Sequence, residues 1–293
     1  MTEPTDKESP WTDRSWTSAD GLKLHCRDYP GSADRLPVLC LHGLTRNARD
    51  FAELAAWVAP GRRVIVPEMR GRGLSDYARD SATYNPAQYV ADVELLLAEQ
   101  EIERFIAIGT SLGGLMTMLL AAARTGRVAA AVLNDIGPDI EPAGLAAIGS
   151  YVGQGRSFQT WMHAARALRE VHGEAHPDFG IEDWLAMAKR VMVLGQGGRI
   201  SFDYDMAIAE PFNAAPTNAA PPNLWLAYEA LADVPVVLVR GELSNILSAR
   251  TAQQMQARNR SLELVTVPAT GHAPLLTEAK AVQAINRLLE LAP

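Results

Sequence analysis

The sequence predicts an α/β fold in which a mostly parallel central β-sheet is flanked by helices. Continuous apolar runs, at residues 37–41 and 236–239 for example, are typical of strands buried on both faces of a parallel sheet. Amphipathic segments such as residues 86–99 separate these runs, and strands that alternate with helices indicate βαβ units. A third observation is the strand–turn–helix pattern at residues 106–115, which places a turn inside an otherwise apolar segment.

The expected elements follow one another along the chain. Residues 22–28 alternate between apolar and polar side chains, as an antiparallel edge strand would. Further strands are predicted at 37–41, 64–67, 105–108, 128–133, 234–239 and 262–267. The spacing of apolar side chains predicts helices at 47–58, 86–99, 111–124, 248–258 and 278–291.

The composition of the chain changes after residue 137. The segment 138–224 lacks buried strand runs, carries helical segments with aromatic side chains and contains a Pro- and Ala-rich stretch at 211–222. We expect this segment to form a helical insertion, and residues 1–137 and 225–293 to form the two parts of one core domain. Aromatic side chains at helical spacing more often pack in a core than line a substrate pocket, and the sequence leaves both roles open for those of the insertion.

Composition and charge argue against several classes of protein. The 293 residues carry a formal charge of −7, which does not suit a nucleic-acid-binding surface. The first ten residues are polar and acidic, lack the basic and apolar parts of a signal peptide, and are expected to be a flexible leader. Cys26 and Cys40 fall in predicted strands, as the reduced core thiols of a cytoplasmic protein would.

One stretch, residues 105–123, has the length and apolar character of a membrane span. It contains three glycines, however, and it coincides with the strand–turn–helix pattern. A buried strand followed by a buried helix explains the same hydropathy, so we expect no membrane span.

The strongest chemical signal is a G-x-S-x-G motif, Gly109-Thr110-Ser111-Leu112-Gly113, between a predicted strand and a predicted helix. In that setting the motif is typical of a nucleophile elbow, a sharp turn that exposes a serine hydroxyl at the end of a sheet. The serine adopts strained backbone angles, and side chains at the two glycine positions would collide with the neighbouring strand and helix. Ser111 is therefore the predicted nucleophile.

A serine nucleophile needs a base within hydrogen-bond reach, and His272 is the best-placed histidine. It follows a predicted strand and Gly271, whereas the other five histidines lie in the edge strand, in the loop after residue 41 or in the insertion. The negative charge that develops on a substrate carbonyl also needs N–H donors. We expect these to be the backbone amides of Leu112, directly after the nucleophile, and of Leu44, in the loop after residue 41.

Four segments together resemble the α/β-hydrolase fold superfamily. They are Leu41-His42-Gly43-Leu44, Arg70-Gly71-Arg72-Gly73-Leu74-Ser75, Gly109-Thr110-Ser111-Leu112-Gly113 and Gly271-His272. The resemblance extends over about residues 20–291. It implies that residues 138–224 are a helical cap, inserted after the sixth strand and covering the active site, and that serine, acid and histidine follow in that order.

The resemblance leaves the acid of the catalytic triad open. Many relatives carry an aspartate at the position of Asn245, and an amide cannot stabilise an imidazolium by charge. Asp135, at the end of a predicted strand, is one candidate, because some branches of the family place their acid there. Otherwise Asn245 is a natural or engineered lesion, or a neutral group that orients His272. Glu242 is a weaker candidate for the acid. If Asp135 is not the acid, it would cap a helix or begin the insertion.

These residues predict a serine hydrolase that cleaves an ester, lactone or similar carbonyl substrate through an acyl-enzyme intermediate. Serine rather than aspartate at position 111 argues against the alkyl-enzyme chemistry of related epoxide hydrolases and haloalkane dehalogenases. The alternatives are a C–C bond hydrolase of the meta-cleavage type and a hydrolase-fold receptor without activity. The expected partner is a small-molecule substrate, with no cofactor, metal, nucleic acid or membrane. The identity of the substrate and the oligomeric state do not follow from the sequence.

Overall fold

The computed structural model describes residues 9–214 and 223–292. Its strands are β1 (Thr12–Thr17), β2 (Lys23–Tyr29), β3 (Val38–Leu41), β4 (Val64–Glu68), β5 (Phe105–Thr110), β6 (Val128–Asn134), β7 (Ser157–Phe158), β8 (Met192–Leu194), β9 (Ile200–Phe202), β10 (Val236–Gly241) and β11 (Leu262–Val267). Its α-helices are α1 (Ala52–Val58), α2 (Pro86–Glu99), α3 (Leu112–Ala123), α4 (Pro142–Gly149), α5 (Trp161–His172), α6 (Ile181–Val191), α7 (Ala209–Asn213), α8 (Leu224–Glu229), α9 (Ala249–Arg258) and α10 (Ala279–Leu291). Short 3₁₀ helices cover Ala48–Phe51, Ser81–Thr83 and Met206–Ile208.

Eight of the strands form a central sheet in the order β1-β2-β4-β3-β5-β6-β10-β11. The strands from β4 to β11 in this order are parallel to one another, and β2 runs antiparallel to both of its neighbours. This arrangement confirms the predicted α/β fold with a mostly parallel sheet. The carboxyl ends of the parallel strands share one edge, so the loops that follow β3, β5, β6, β10 and β11 come together there.

The parallel strands are mainly apolar because helices cover both faces of the sheet, and polar residues such as Glu68, Thr110 and Asn134 stand at their carboxyl ends. Along β3, Leu39 and Leu41 pack on the face that carries α2, α3, α8 and α9, whereas Val38 and Cys40 pack on the face that carries α1 and α10. Successive strand side chains point to opposite faces, so every position of β3 packs against apolar neighbours. Strand β3 therefore appears in the sequence as a continuous apolar run.

The first edge of the sheet differs from the prediction. The sequence predicts residues 22–28 as an edge strand, but β1 lies outside β2 and forms the edge. Every residue of β1 except Trp16 is exposed, so this strand lacks the apolar pattern that identifies the others. Most of the predicted flexible leader, residues 1–8, lies outside the described residues.

Between β6 and β10 the chain forms α4 to α8 and a second, three-stranded antiparallel sheet in the order β7-β9-β8. The insertion is thus not purely helical, in contrast to the prediction. Its strands have two or three residues each and are partly exposed, so they leave no buried apolar run in the sequence. α5 and α6 pack around the buried Trp184. The domain boundaries stay a prediction, because residues 215–222 of the Pro- and Ala-rich stretch lie outside the described residues.

Residues 203–205 attach the insertion to the core. The Asp203 carboxylate accepts a hydrogen bond from Arg49 Nη2 at 2.7 Å, and the Asp205 carboxylate accepts one from the Tyr84 hydroxyl at 2.5 Å. The backbone N–H of Asp205 donates to the Gly71 carbonyl oxygen at 2.8 Å. The insertion is therefore fixed directly on the loop after β4.

The apolar stretch 105–123 and the two cysteines belong to the core. Among the described residues, no helix is both long and apolar enough to cross a membrane. Cys26 and Cys40 are buried free thiols, and burial raises the pKa of both, that of the Cys26 thiol to about 12. Both thiols are therefore unreactive at neutral pH. The cytoplasmic location stays a prediction.

Candidate active site

Ser111 lies in the sharp turn between β5 and α3, as predicted. Its backbone angles, φ 51° and ψ −115°, lie in a region that non-glycine residues rarely adopt. A Cβ atom on Gly113 would lie 1.9 Å from the carbonyl oxygen of Leu41, and one on Gly109 would lie 2.3 Å from the carbonyl oxygen of Gly113. Glycine at both positions is what lets β3, β5 and α3 approach closely enough to present the Ser111 hydroxyl.

His272 lies in the loop after β11, and its two ring nitrogens contact two other predicted site residues. Nε2 is 2.8 Å from Ser111 Oγ, and Nδ1 is 2.8 Å from Asp135 Oδ2. A carboxylate accepts hydrogen bonds, so Nδ1 carries the proton and Nε2 is free to accept from the serine hydroxyl. The three side chains form one continuous hydrogen-bonded chain, although His272 is 161 residues from Ser111 and 137 residues from Asp135 in sequence.

Asp135 directly follows β6 and is completely buried. Its Oδ1 accepts a hydrogen bond from the Gly241 N–H at 2.9 Å. Its Oδ2 accepts one from the Ser244 hydroxyl at 2.6 Å in addition to the one from His272. Three donors thus surround the carboxylate, which supplies the compensation that a buried acceptor needs.

Asn245 lies in the loop after β10, but its side chain is exposed. Glu242 is exposed as well, and its carboxylate accepts a hydrogen bond from the Ala269 N–H. Of the three residues that the sequence offers for orienting His272, only Asp135 contacts it. The hypotheses that place Asn245 beside His272, as a lesion or as a neutral orienting group, therefore disagree with the structure.

The two amides expected to stabilise an oxyanion lie beside Ser111. Leu112 is the first residue of α3, and Leu44 lies in the loop after β3. A Cβ atom on Gly43, in the same loop, would lie 3.8 Å from the Ser111 Cβ. Neither the Leu44 nor the Leu112 N–H donates a hydrogen bond to another of the described residues. Both amides are therefore available to an oxygen bound next to Ser111 Oγ.

Two buried side chains hold the loop that carries Leu44. His42 Nε2 accepts from the Met69 N–H at 3.1 Å, so its Nδ1–H donates to the Gly43 carbonyl oxygen at 2.8 Å. Burial, together with the charge of Arg72, lowers the pKa of His42 to about 4 and keeps the ring neutral. Arg72 Nε donates to the Leu44 carbonyl oxygen at 2.9 Å. Since the N–H of a trans peptide points away from its carbonyl, anchoring the Gly43 carbonyl turns the Leu44 N–H toward the site.

Ser111 lies between two cavities. The first has a volume of about 140 Å³ and is lined mainly by apolar side chains, but its lining includes the polar residues Arg46, Tyr151, Arg156, His172, His176 and His272. The second has a volume of about 330 Å³, and its mostly apolar lining includes Leu115, Ile136, Leu145, Ile208 and Phe212. Two cavities that meet at a nucleophile suit a substrate that carries a group on each side of a carbonyl.

Sequence reasoning did not identify Arg46, His172 and His176 as part of the site. The two histidines stand four residues apart at the end of α5 and just beyond it. Burial lowers the pKa of each to about 4, and the charge of Arg46 adds to the effect. Their spacing is the only signal in the sequence, and it does not show that the insertion folds over Ser111.

Two proteins of named activity are similar to this chain over most of its length. It is 34% identical over 250 residues to the 3-hydroxybutyrate-oligomer hydrolase of Cupriavidus necator, in an alignment that covers 82% of this chain and 84% of that protein. It is 25% identical over 235 residues to the 2-(acetamidomethylene)succinate hydrolase of Mesorhizobium japonicum, in an alignment that covers 80% of this chain and 81% of that protein.

A solved structure and a family model also match this chain over most of its length. The crystal structure of an alpha/beta hydrolase from Novosphingobium aromaticivorans DSM 12444 is 60% identical to this chain, with a TM-score of 0.92, and the match covers 96% of this chain and 99% of that one. The model of the alpha/beta hydrolase family matches residues 38–285, which include the elbow, Asp135 and His272. The resemblance seen in the sequence is confirmed, and the chain belongs to the α/β-hydrolase family.

Proposed function

We propose that this α/β-hydrolase cleaves carboxylic esters through an acyl-enzyme, with Ser111 as nucleophile, His272 as general base and Asp135 as the acid that orients it. The observation that carries the proposal is the hydrogen-bonded chain of these three side chains, which ends on a strained elbow serine. A nucleophile, a base and an orienting carboxylate in sequence are the arrangement that acyl transfer requires.

The first half of the reaction forms the acyl-enzyme. His272 Nε2 takes the hydroxyl proton as Ser111 Oγ attacks the ester carbonyl, and the carbonyl oxygen becomes an oxyanion. The N–H groups of Leu44 and Leu112 donate to that oxygen. When the tetrahedral intermediate collapses, the bond to the alcohol oxygen breaks and His272 Nε2–H gives its proton to the departing alcohol.

The second half releases the acid. His272 Nε2 takes a proton from a water molecule, whose oxygen attacks the acyl carbon, and the proton then returns to Ser111 Oγ as the acyl group leaves. In both halves the ring of His272 becomes positively charged for a moment. The buried carboxylate of Asp135, 2.8 Å from Nδ1, stabilises that charge and keeps the required tautomer.

The name of one relative narrows the class of esters that we propose as substrates. An oligomer of 3-hydroxybutyrate, named for the Cupriavidus necator relative, is held together by ester bonds between hydroxy acids. We take esters of this general kind as the proposed substrate class. The contact of Ser111 with His272 disfavours a receptor without activity, and no feature of the site favours C–C cleavage.

Hydrolysis of p-nitrophenyl butyrate by four proteins tests this proposal. Relative to the wild type, we expect Ser111→Ala to lose at least about a thousandfold in kcat and Asp135→Asn about ten-thousandfold. Asn245→Asp should stay within about twofold, because this exposed side chain does not contact His272. Circular dichroism melts serve as the control for folding.

Two results would contradict the proposal. Activity that survives in Ser111→Ala would rule out the nucleophile. A gain of several orders of magnitude in Asn245→Asp, with little change in Asp135→Asn, would place the acid at position 245 instead.

A further inference from the structure

The two cavities beside Ser111 differ in their relation to the proposed base. His272 and the four residues that follow it, 273–276, all line the first cavity. The second cavity is bordered by Leu112 and Leu115 of α3 and by apolar side chains of the insertion, and the described lining does not include His272. The base therefore lies on one side of the nucleophile.

The position of His272 decides which part of an ester each cavity receives. Nε2 must give its proton to the oxygen of the departing alcohol. That oxygen and the group it carries must therefore lie on the His272 side, in the first cavity. The acyl chain then extends into the second cavity, whose apolar walls suit a hydrocarbon chain.

Arg46 brings guanidinium N–H donors to the first cavity. Its Nε and Nη2 donate to the Asp50 carboxylate at 2.6 and 2.7 Å. Among the described residues, Nη1 has as its acceptor only the Met187 thioether, a weak one, at 3.2 Å. The Arg46 side chain is 24% exposed and borders the cavity, so its remaining N–H groups are open to a bound molecule. Guanidinium donors match the oxygens of a carboxylate.

Two neutral imidazoles lie in the wall of the same cavity. The His172 ring meets Tyr151 edge-on with centroids 4.9 Å apart, and the His176 ring stacks on Phe179 at 4.5 Å. His176 is only 6% exposed, yet neither imidazole forms a side-chain hydrogen bond with another described residue. Both rings border the cavity and their nitrogens are not sealed from it, so water or a bound molecule can pair with them. Each neutral ring offers one N–H donor.

We propose that the first cavity binds a carboxylate on the alcohol part of the substrate, held by the unused donors of Arg46 and by the N–H groups of His172 and His176. This inference rests on the proposed ester hydrolysis by Ser111. The substrate class is an ester that joins an apolar acyl chain to a hydroxy acid whose own carboxylate is free. Asp50 also borders the cavity, and both of its oxygens accept from Arg46, so the two charges largely offset each other and Arg46 meets a bound carboxylate through its remaining N–H groups.

A matched pair of esters tests for the carboxylate. One is the butyryl ester of 3-hydroxybutyrate, and the other is the butyryl ester of 3-hydroxybutyramide, which has nearly the same shape without the charge. For the wild type we expect kcat/KM to be about tenfold or more higher for the charged ester, mainly through a lower KM. A charge on the acyl side should act in the opposite direction, so p-nitrophenyl hydrogen succinate should react more slowly than p-nitrophenyl butyrate.

Three variants connect this preference to Arg46. Asp50→Asn removes the competing carboxylate and should increase the preference for the charged ester. The double variant Arg46→Gln/Asp50→Asn removes both charges together and should bring the ratio of the two kcat/KM values close to one. Arg190→Gln is the matched control, because Arg190 forms an ion pair with Glu53 and is not part of the described cavity lining. It should leave the ratio unchanged.

An inhibition assay covers the case in which the double variant fails to fold. With the wild type and p-nitrophenyl butyrate, 3-hydroxybutyrate should inhibit competitively at a concentration at least about tenfold lower than 3-hydroxybutyramide. Hydrolysis of both esters that depends on Ser111 but shows no charge preference, and equal inhibition by both compounds, would overturn the carboxylate site alone. No hydrolysis dependent on Ser111 with any of the esters would overturn the proposed function and this inference with it.

Discussion

The carboxylate of Asp135 is held by the last residue of β10 and by residues of the loops that follow β10 and β11. Ser244 is the least obvious of these donors. Its Oγ accepts hydrogen bonds from the N–H groups of Ile246 and Leu247, at 3.2 and 3.1 Å, and this orients its proton toward Asp135 Oδ2. The loop that carries Asn245 thus contributes to the site through Ser244, whose hydroxyl donates a hydrogen bond to Asp135.

Ser244→Ala is predicted to slow the chemical step. Loss of a hydrogen bond to a charged carboxylate should reduce kcat by about tenfold, with little change in KM, because Ser244 does not border either cavity as described. Steady-state kinetics with p-nitrophenyl butyrate measures both constants. Ser244→Thr, which keeps the hydroxyl, should recover most of the loss, and the exposed Asn245→Ala should behave as the wild type. A kcat of Ser244→Ala equal to that of the wild type would show that Asp135 needs no support from this loop.

At the scale of the elements, the site depends on how closely β3, β5, β6 and α3 approach one another. The N–H of Ser111 donates to the carbonyl oxygen of Asn134 at 2.9 Å. Asn134 Nδ2 in turn donates to Thr110 Oγ1 at 3.1 Å and to the Pro274 carbonyl oxygen at 2.8 Å. One side chain at the end of β6 therefore connects the elbow to the loop that carries His272.

Gly113→Ala is predicted to damage this arrangement. The new methyl group would lie 1.9 Å from the Leu41 carbonyl oxygen, so α3 must move away from β3. We expect the free energy of unfolding to fall by about 3 kcal/mol. A displacement of Ser111 by about 1 Å should lower kcat about hundredfold.

Urea unfolding and p-nitrophenyl butyrate hydrolysis measure the two effects of Gly113→Ala. The control is Gly197→Ala, in a turn of the insertion where an added Cβ meets no atom within 4 Å. The control should match the wild type in both assays. Equal stability of Gly113→Ala and Gly197→Ala would show that α3 is not packed against β3 as closely as described.

At the scale of the whole molecule, a fully buried neutral histidine makes folding dependent on pH. The pKa of His42 is lowered from 6.5 to about 4 in the folded chain, by burial and by the charge of Arg72. In the unfolded chain His42 takes up its proton near pH 6.5. Between these two values the unfolded state binds more protons, so the free energy of unfolding falls as the pH falls from about 6.5 to about 4.

His42→Asn is predicted to remove this contribution. The free energy of unfolding of the wild type should fall by about 3 kcal/mol more than that of His42→Asn between pH 7 and pH 4, since each pKa unit corresponds to about 1.4 kcal/mol. Urea unfolding at several pH values, followed by tryptophan fluorescence, gives the difference. The exposed His163→Asn should show the pH dependence of the wild type. Parallel curves for the wild type and His42→Asn would mean that His42 is not kept neutral by the fold.

The sequence by itself determined the parallel sheet, the elbow serine and the late histidine. Each of these has a local cause. A strand covered on both faces needs a continuous apolar run, as β3 shows, and an elbow needs glycine at positions 109 and 113. Ser111 precedes His272 in the sequence because Ser111 follows β5 and His272 follows β11. The exposed edge strand β1 has no such local pattern, so the sequence does not predict it.

Only the tertiary structure decided which acid meets His272 and what borders the nucleophile. Asp135 and Asn245 both follow strands, and the sequence leaves them equivalent. The neighbouring strands β6 and β10 bring Asp135 and Ser244 together, and the loop then leaves Asn245 exposed. The same holds for Arg46 and His176, which lie 130 residues apart and share a cavity only because the insertion folds over the sheet. Such contacts depend on the path of the chain in space, which no local pattern of residue types records.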